Sequence, residues 1–132
     1  MQGRGISRGI GSGDLLVSPE PISFLSGVAP ETGIAIERGH PLEGQPIAGR
    51  VLAFPYGKGS TVGSYVIYAL KRNDRAPVAI INTEAEPIIA VGAIIAGIPM
   101  VDRLPPEFSC LAPGTRVTVN GDTGEVSYVL DT

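Results

Sequence analysis

The chain contains no tryptophan, and cysteine and histidine occur once each. A lone cysteine, Cys110, excludes an internal disulfide, and it cannot furnish the thiolates of a structural zinc or iron–sulfur site. His40 is the only imidazole, so no metal constellation of soft ligands is expected from this chain. Aromatic side chains are scarce, four Tyr and three Phe, and no basic stripe interleaves with them. With a net charge of -3, that pattern argues against nucleic acid as a partner. Long hydrophobic runs are missing as well. The longest, residues 88–100, is broken by Gly92, Gly97 and Pro99 and is too short to span a membrane. The opening "MQGRGISRGI" has no apolar core of the signal-peptide kind, so a cytoplasmic location is expected.

What the chain does have is glycine and proline, 18 and 12 of them in 132 residues. Tight, numerous connections follow from that. Ile, Val and Ala supply most of the apolar content, which favours strands packed by small aliphatic side chains. The length suits one domain, residues 1–132, able to bury a core unaided. No internal repeat or long linker divides it.

The first sixty residues read as strands and turns. "GISRGI" is expected to be a strand, "GSGD" a turn, and "LLVS" and "PISFLS" further strands. "GVAPETG" and "RGHPLEGQPIAG" are loops, separated by a short strand in "GIAIE", and "RVLAF" is a strand of high β-propensity. Beyond Ser60, residues Val62, Tyr65, Val66, Ala69 and Leu70 recur at helical spacing, with Lys71 and Arg72 in the last turn. "PVAII" reads as a buried strand, "EPIIAVGAIIAG" as a helix started by Glu84 and Glu86, and "IPMVD" as another strand. At the end, "RVTV" and "EVSYV" flank a Gly- and Asn-rich connection, the pattern of a hairpin. Alternating strand and helix in the middle predicts parallel crossover units, while both ends are β. The sum is an α/β domain, a compact β/β/α sandwich with a mixed sheet and a β-rich N-terminal half.

Chemistry concentrates in "PYGKGSTVGS", where a strand passes into a helix. It is not a P-loop: Lys58 precedes Gly59, and no Gly-Lys-Ser or Gly-Lys-Thr element follows the glycines. One reading is a tight turn with Ser60 as the helix N-cap and Gly59 relieving the crowding before it. The other places Ser60 at a positively polarised helix start, with Lys58 adding charge, where an anion or an ionised hydroxyl is stabilised. Thr61 and Ser64 are candidate hydrogen-bond donors to a substrate or, equally, capping and packing residues, and Ser60 and Ser64 share a helical face. No local His and no G-x-S-x-G elbow supports serine-hydrolase chemistry. His40, in "ERGHPLEG", is expected to order the turn before Pro41, with catalysis the lesser alternative. Cys110, in "PPEFSCLAPG", is expected to be a small packing residue.

From about residue 13 to the final hairpin the chain resembles the aconitase X swivel family. The resemblance rests on the ordered set "PISF", "GVAPETG", "HPLEGQPIAGRVL", "GKGSTVGSYV" and "NTEAEPIIAVGAIIAGIP". Two positions depart from it: Ala29 and Glu37 stand where members often carry Asp. Thr61 and Val62 also stand where ordinary aconitases place an Arg after the corresponding serine. The resemblance implies a swivelling β/β/α domain serving as the small subunit of a heteromeric hydro-lyase. In it, a large subunit carries a 4Fe–4S cluster whose iron acts as Lewis acid on the departing hydroxyl. It further implies Ser60 as the acceptor of a proton from the carbon beside the substrate carboxylate. The implied substrate is a phosphorylated hydroxy acid, (R)-5-phosphomevalonate, converted to trans-anhydromevalonate 5-phosphate on the mevalonate route to isoprenoids. Lys58, Gly59, Thr61 and Ser64 are then substrate-binding candidates, and this chain holds no metal. The alternatives are a non-catalytic lid over a partner's site, or the same chemistry on another hydroxy acid such as a hydroxyproline.

Overall fold

A computed structural model describes residues 1–59 and 61–129. The N-terminal half comprises strands β1 (Arg4–Ser7) and β2 (Ile10–Val17), the one-turn helix α1 (Phe24–Gly27), a ribbon of β3 (Val28–Ala29) and β4 (Ile34–Ala35), and β5 (Val51–Phe54). Then follow helix α2 (Gly63–Arg72), β6 (Ala79–Asn82), helix α3 (Pro87–Ala96) and β7 (Met100–Asp102). A 3-10 turn (Pro106–Cys110) leads to the hairpin of β8 (Arg116–Asn120) and β9 (Glu125–Val129).

One seven-stranded sheet runs in the order β1-β7-β6-β5-β2-β8-β9. β2, β5, β6 and β7 pair parallel with one another in turn, and β1–β7, β2–β8 and β8–β9 are antiparallel. The parallel crossovers and the terminal hairpin therefore stand as expected. β2 is the corner of the sheet. Ile10–Asp14 pair with β8, whereas Leu15–Val17 pair with β5.

The expected turn at "GSGD" is absent, because those residues lie inside β2. Their glycines serve close approach rather than turning. A Cβ on Gly11 would collide with the Val78 carbonyl, and one on Gly13 would stand 2.8 Å from the Gly49 carbonyl oxygen. "PISFLS" is likewise not a strand: Ile22 makes one isolated bridge to Gly57, and Phe24–Gly27 form α1.

Strand alternation sorts the core into two layers. Val51, Ala53, Ala79 and Ile81 face Val117, Val119 and Val126 of the hairpin. Leu52, Phe54 and Ile80 face Ile67 and Leu70 of α2 and Ile89 and Ala93 of α3. Because the central strands bury both faces, they read as unbroken apolar runs. The result is the β/β/α arrangement.

The apolar stripe expected on α2 is rotated. Its buried residues are Gly63, Ser64, Ile67 and Leu70, and Val62 and Tyr65 are exposed. Small residues face inward because α3 crosses there: a Cβ on Gly92 would lie 3.2 Å from Ser64 Cα. Cys110 is exposed on the 3-10 turn and does not pack.

Candidate functional site

β5, buried along its whole length, delivers the chain to the edge where the parallel strands end. In open α/β sheets that carboxyl edge is where ligands are bound. The turn between β5 and α2 is held from two sides. The Ile22 amide donates to the Tyr56 carbonyl (3.4 Å) and the Lys58 amide to the Ile22 carbonyl (3.0 Å). The Thr83 amide, on the β6–α3 connection, donates to the Pro55 carbonyl (3.0 Å). Gly57 presses against α3, where a Cβ would overlap Ile89 and stand 2.8 Å from Glu86 Oε1.

Ser60 lies outside the described residues. Its neighbours are placed. Lys58 Nζ, on a half-exposed side chain, is 3.4 Å from Glu37 Oε2, so it is paired rather than loose in solvent. Gly59 has φ of 98°, in the left-handed region, and a Cβ there would stand 2.7 Å from Ser23 Oγ. Thr61 is exposed, and its carbonyl accepts the Ser64 amide (3.2 Å). Ser64 is buried, with its hydroxyl donated to the Ile88 carbonyl at 2.7 Å, which ties α2 to α3. Lys58, Gly59 and Thr61 thus share one turn, whereas the Ser64 proton is committed between the helices. α2 begins at Gly63 with Val62 in the cap position, later than an N-cap at Ser60 requires.

Three polar residues at the turn were not among the sequence candidates: Ser23, Ser26 and Glu37. Ser26 Oγ donates to Ser23 Oγ at 3.3 Å, beside Gly59. Two hydroxyls three residues apart in "SFLS" fit one turn of helix, a signal that a strand reading hides. Nothing local marks Glu37, because its partner is 21 residues away. His40 orders its turn: the Leu42 amide donates to Nδ1 (3.1 Å), which leaves the proton on Nε2 for the Pro21 carbonyl (3.0 Å).

The two helix starts at this edge differ in charge. α2 has no acidic residue in its first turn. On α3 the Glu86 carboxylate accepts from the Ile88 amide (2.9 Å) and the Ile89 amide (2.7 Å). Next to α3, Asp102 is fully buried and receives Arg4 through two bonds (2.9 and 2.7 Å) and the Ala85 amide at 2.8 Å. Burial is the strongest single influence on Asp102 and opposes its charge. The Arg4 bond, the Ala85 N–H and the Arg4 charge together outweigh it and hold the carboxyl below the usual aspartate range. The Arg103 bond, opposed by desolvation, lowers Glu84 similarly. Among the described residues no group of three His, Cys, Asp or Glu could hold a metal ion.

Outside the turn, α3 carries no charged residue and still presents Val91, Ile94 and Ile95 to solvent. Alongside it α2 exposes Tyr65 and Tyr68, and Val62 just before the helix is exposed as well. Clustered exposed apolar side chains of this kind mark interaction surfaces. No helix among the described residues is long and apolar enough to cross a membrane.

The family model described as the Aconitase X swivel domain matches residues 1–128. A phosphomevalonate dehydratase small subunit of Thermococcus gammatolerans is 58% identical over 99% of this chain and 98% of its own length. One from Methanosarcina acetivorans is 55% identical over 98% of this chain and 90% of its own. The crystal structure of Thermococcus kodakaraensis aconitase X in its holo-form superposes with a TM-score of 0.93 at 54% identity, covering 98% of this chain and 97% of that one. With its β/β/α layers and its Gly-Lys-Gly-Ser turn, the chain belongs to the aconitase X swivel domain family.

Proposed function

We propose that this chain is the small subunit of a heteromeric hydro-lyase that dehydrates (R)-5-phosphomevalonate in the mevalonate pathway, with Ser60 as the proton acceptor. The observation that carries the reading is the likeness, at 55–58% identity and nearly full length, to proteins named phosphomevalonate dehydratase small subunit. The exposed apolar faces of α2 and α3 support a large partner subunit. A 4Fe–4S cluster would belong to that partner: this chain has one cysteine, and its described residues gather no metal-binding group.

In this reading the carbon beside the substrate carboxylate loses a proton to Ser60 Oγ, and the hydroxyl leaves from the adjoining carbon. The products are trans-anhydromevalonate 5-phosphate and water. A serine hydroxyl is a weak base, so its anionic form needs stabilisation where it forms. Support comes from a helix that begins three residues after Ser60 without first-turn acids, and from Lys58 two residues before it in sequence. Glu37 steadies Lys58 at the turn, and the left-handed Gly59 leaves room for Ser23 Oγ beside it. Gly59 and Thr61 offer contacts on the same turn, whereas Ser64 contributes by fixing α2 against α3.

The test is anaerobic turnover of 5-phosphomevalonate by the reconstituted two-subunit enzyme, wild type against Ser60→Ala. A loss of about 10²–10⁴-fold with intact assembly is expected for removal of a proton-transfer group. Near-normal turnover would leave the chain a non-catalytic lid. Phosphate-free hydroxy acids turned over equally well would move the assignment to another substrate.

A further inference from the structure

The segment that runs into α1 forms a second wall of the turn that carries Lys58 and Gly59. Ile22 bridges Gly57, and its carbonyl accepts the Lys58 amide at 3.0 Å. Just ahead of it, the Pro21 carbonyl accepts from His40 Nε2 at 3.0 Å, which fixes the approach to Ser23.

Ser23 occupies the N-cap position of α1 with extended backbone, φ −98° and ψ 118°. Residue type and backbone both suit a cap, in which the side-chain oxygen accepts an amide of its own helix. No such bond forms. The hydroxyl lies instead against the turn, where a Cβ on Gly59 would stand 2.7 Å from Ser23 Oγ. Ser26 Oγ, on an exposed residue, donates to Ser23 Oγ at 3.3 Å, which leaves Ser23 its own proton. That proton has no acceptor among the described residues, although Ser23 is only 6% exposed. A buried hydroxyl that forgoes its cap and keeps an unused donor calls for a partner. Contact with Gly59 supplies none, because a glycine Cα makes only weak hydrogen bonds.

We propose that Ser23 is a positioning residue of the proton-accepting turn: its hydroxyl, oriented by Ser26, donates to the negative charge that develops on the serine after Gly59. This role rests on the dehydratase reading, in which Ser60 is the base. The Ser23 proton is shared and not transferred, so the proton balance of the reaction is unchanged. Such a bond is modest to a neutral hydroxyl and about twice as strong to an anionic one, so it favours the charged state selectively. A donor fixed in place before charge appears costs no reorganisation when it does.

The test is steady-state turnover of 5-phosphomevalonate by the reconstituted two-subunit enzyme, with wild type and Ser60→Ala as references. Ser23→Ala should lower kcat roughly 10- to 100-fold, the worth of one hydrogen bond to a charged group, with KM little changed. The urea midpoint of that variant should stay near wild type, because no cap bond is lost. Ser23→Thr, which keeps the hydroxyl, should recover most of kcat, and Ser26→Ala should show a smaller fall of the same kind. Normal kcat in Ser23→Ala, a fall matched by a lowered midpoint or a raised KM, or an equal fall in Ser23→Thr would overturn this role alone. A wild type inactive on the substrate, or an active Ser60→Ala, would overturn the dehydratase reading of the turn and this role with it.

Discussion

Helices α2 and α3 are both ten residues long, both cross between parallel strands, and both lie on the same face of the sheet. Their beginnings diverge. α3 starts with an extended Glu86 whose carboxylate holds two amides, then a proline, and it ends on a left-handed Gly97. α2 starts after a glycine-rich turn, with Val62 in the cap position and no acid in its first turn. The first is a self-contained stop and start, its positive end met by its own carboxylate. The second has no acid in its own first turn, and Lys58 on the turn before it pairs with Glu37 from a distant segment. Two helices of equal length at one sheet edge can thus begin in structurally and chemically unlike ways. Glu86 also stands behind Gly57, so the start of α3 supports the turn that leads into α2.

That comparison can be broken at several points. The largest effect on stability is expected from Gly57→Ala, whose methyl would press into Ile89 and Glu86, the residues at the start of α3. Overpacking of this kind costs about 1–3 kcal/mol, measurable by urea unfolding, and turnover of the assembled enzyme should fall as the turn shifts. Glu86→Ala should cost about 1 kcal/mol through loss of the cap, with a smaller effect on turnover than Ser60→Ala. Equal loss of turnover in the two variants would erase the distinction between the helix starts.

Acid should weaken the support of α3 further. Asp102 holds the Ala85 amide just ahead of α3, and its carboxyl is lowered in the folded protein. Its stabilising contribution is therefore complete above the unfolded aspartate value of about 3.9 and is lost as pH falls through the lowered folded value. Unfolding measured between neutral and acid pH should show wild type and Asp102→Asn converging at the acid end. The smallest change in stability belongs to Lys58→Gln. The Lys58–Glu37 pair is exposed, so unfolding should move little, while KM for the phosphorylated substrate should rise if Lys58 meets its phosphate.

Much of the fold was legible because its signals are local. Alternation on either side of "NGDTG" gave the hairpin, and Glu86, Pro87 and Gly97 mark both ends of α3. The β2 region misled for a physical reason. Gly11 and Gly13 resemble turn residues in sequence, and only the crossing of Val78 and Gly49 shows that they make room inside a strand. The same holds for α2: a count of apolar residues favours Val62 and Tyr65, but packing against α3 selects the small Gly63 and Ser64.

At the site, sequence by itself determined the composition of the turn, its lysine, its glycines and hydroxyls, together with the poverty in cysteine and the family. Those are properties of adjacent residues and of composition. Tertiary structure alone decided that Glu37 meets Lys58, that Ser23 lies against Gly59, that Ser64 is tied to Ile88 and that Asn82 Oδ1 is buried without a partner among the described residues. Each of these depends on segments distant in sequence being brought together by the sheet, and no local pattern encodes such a meeting.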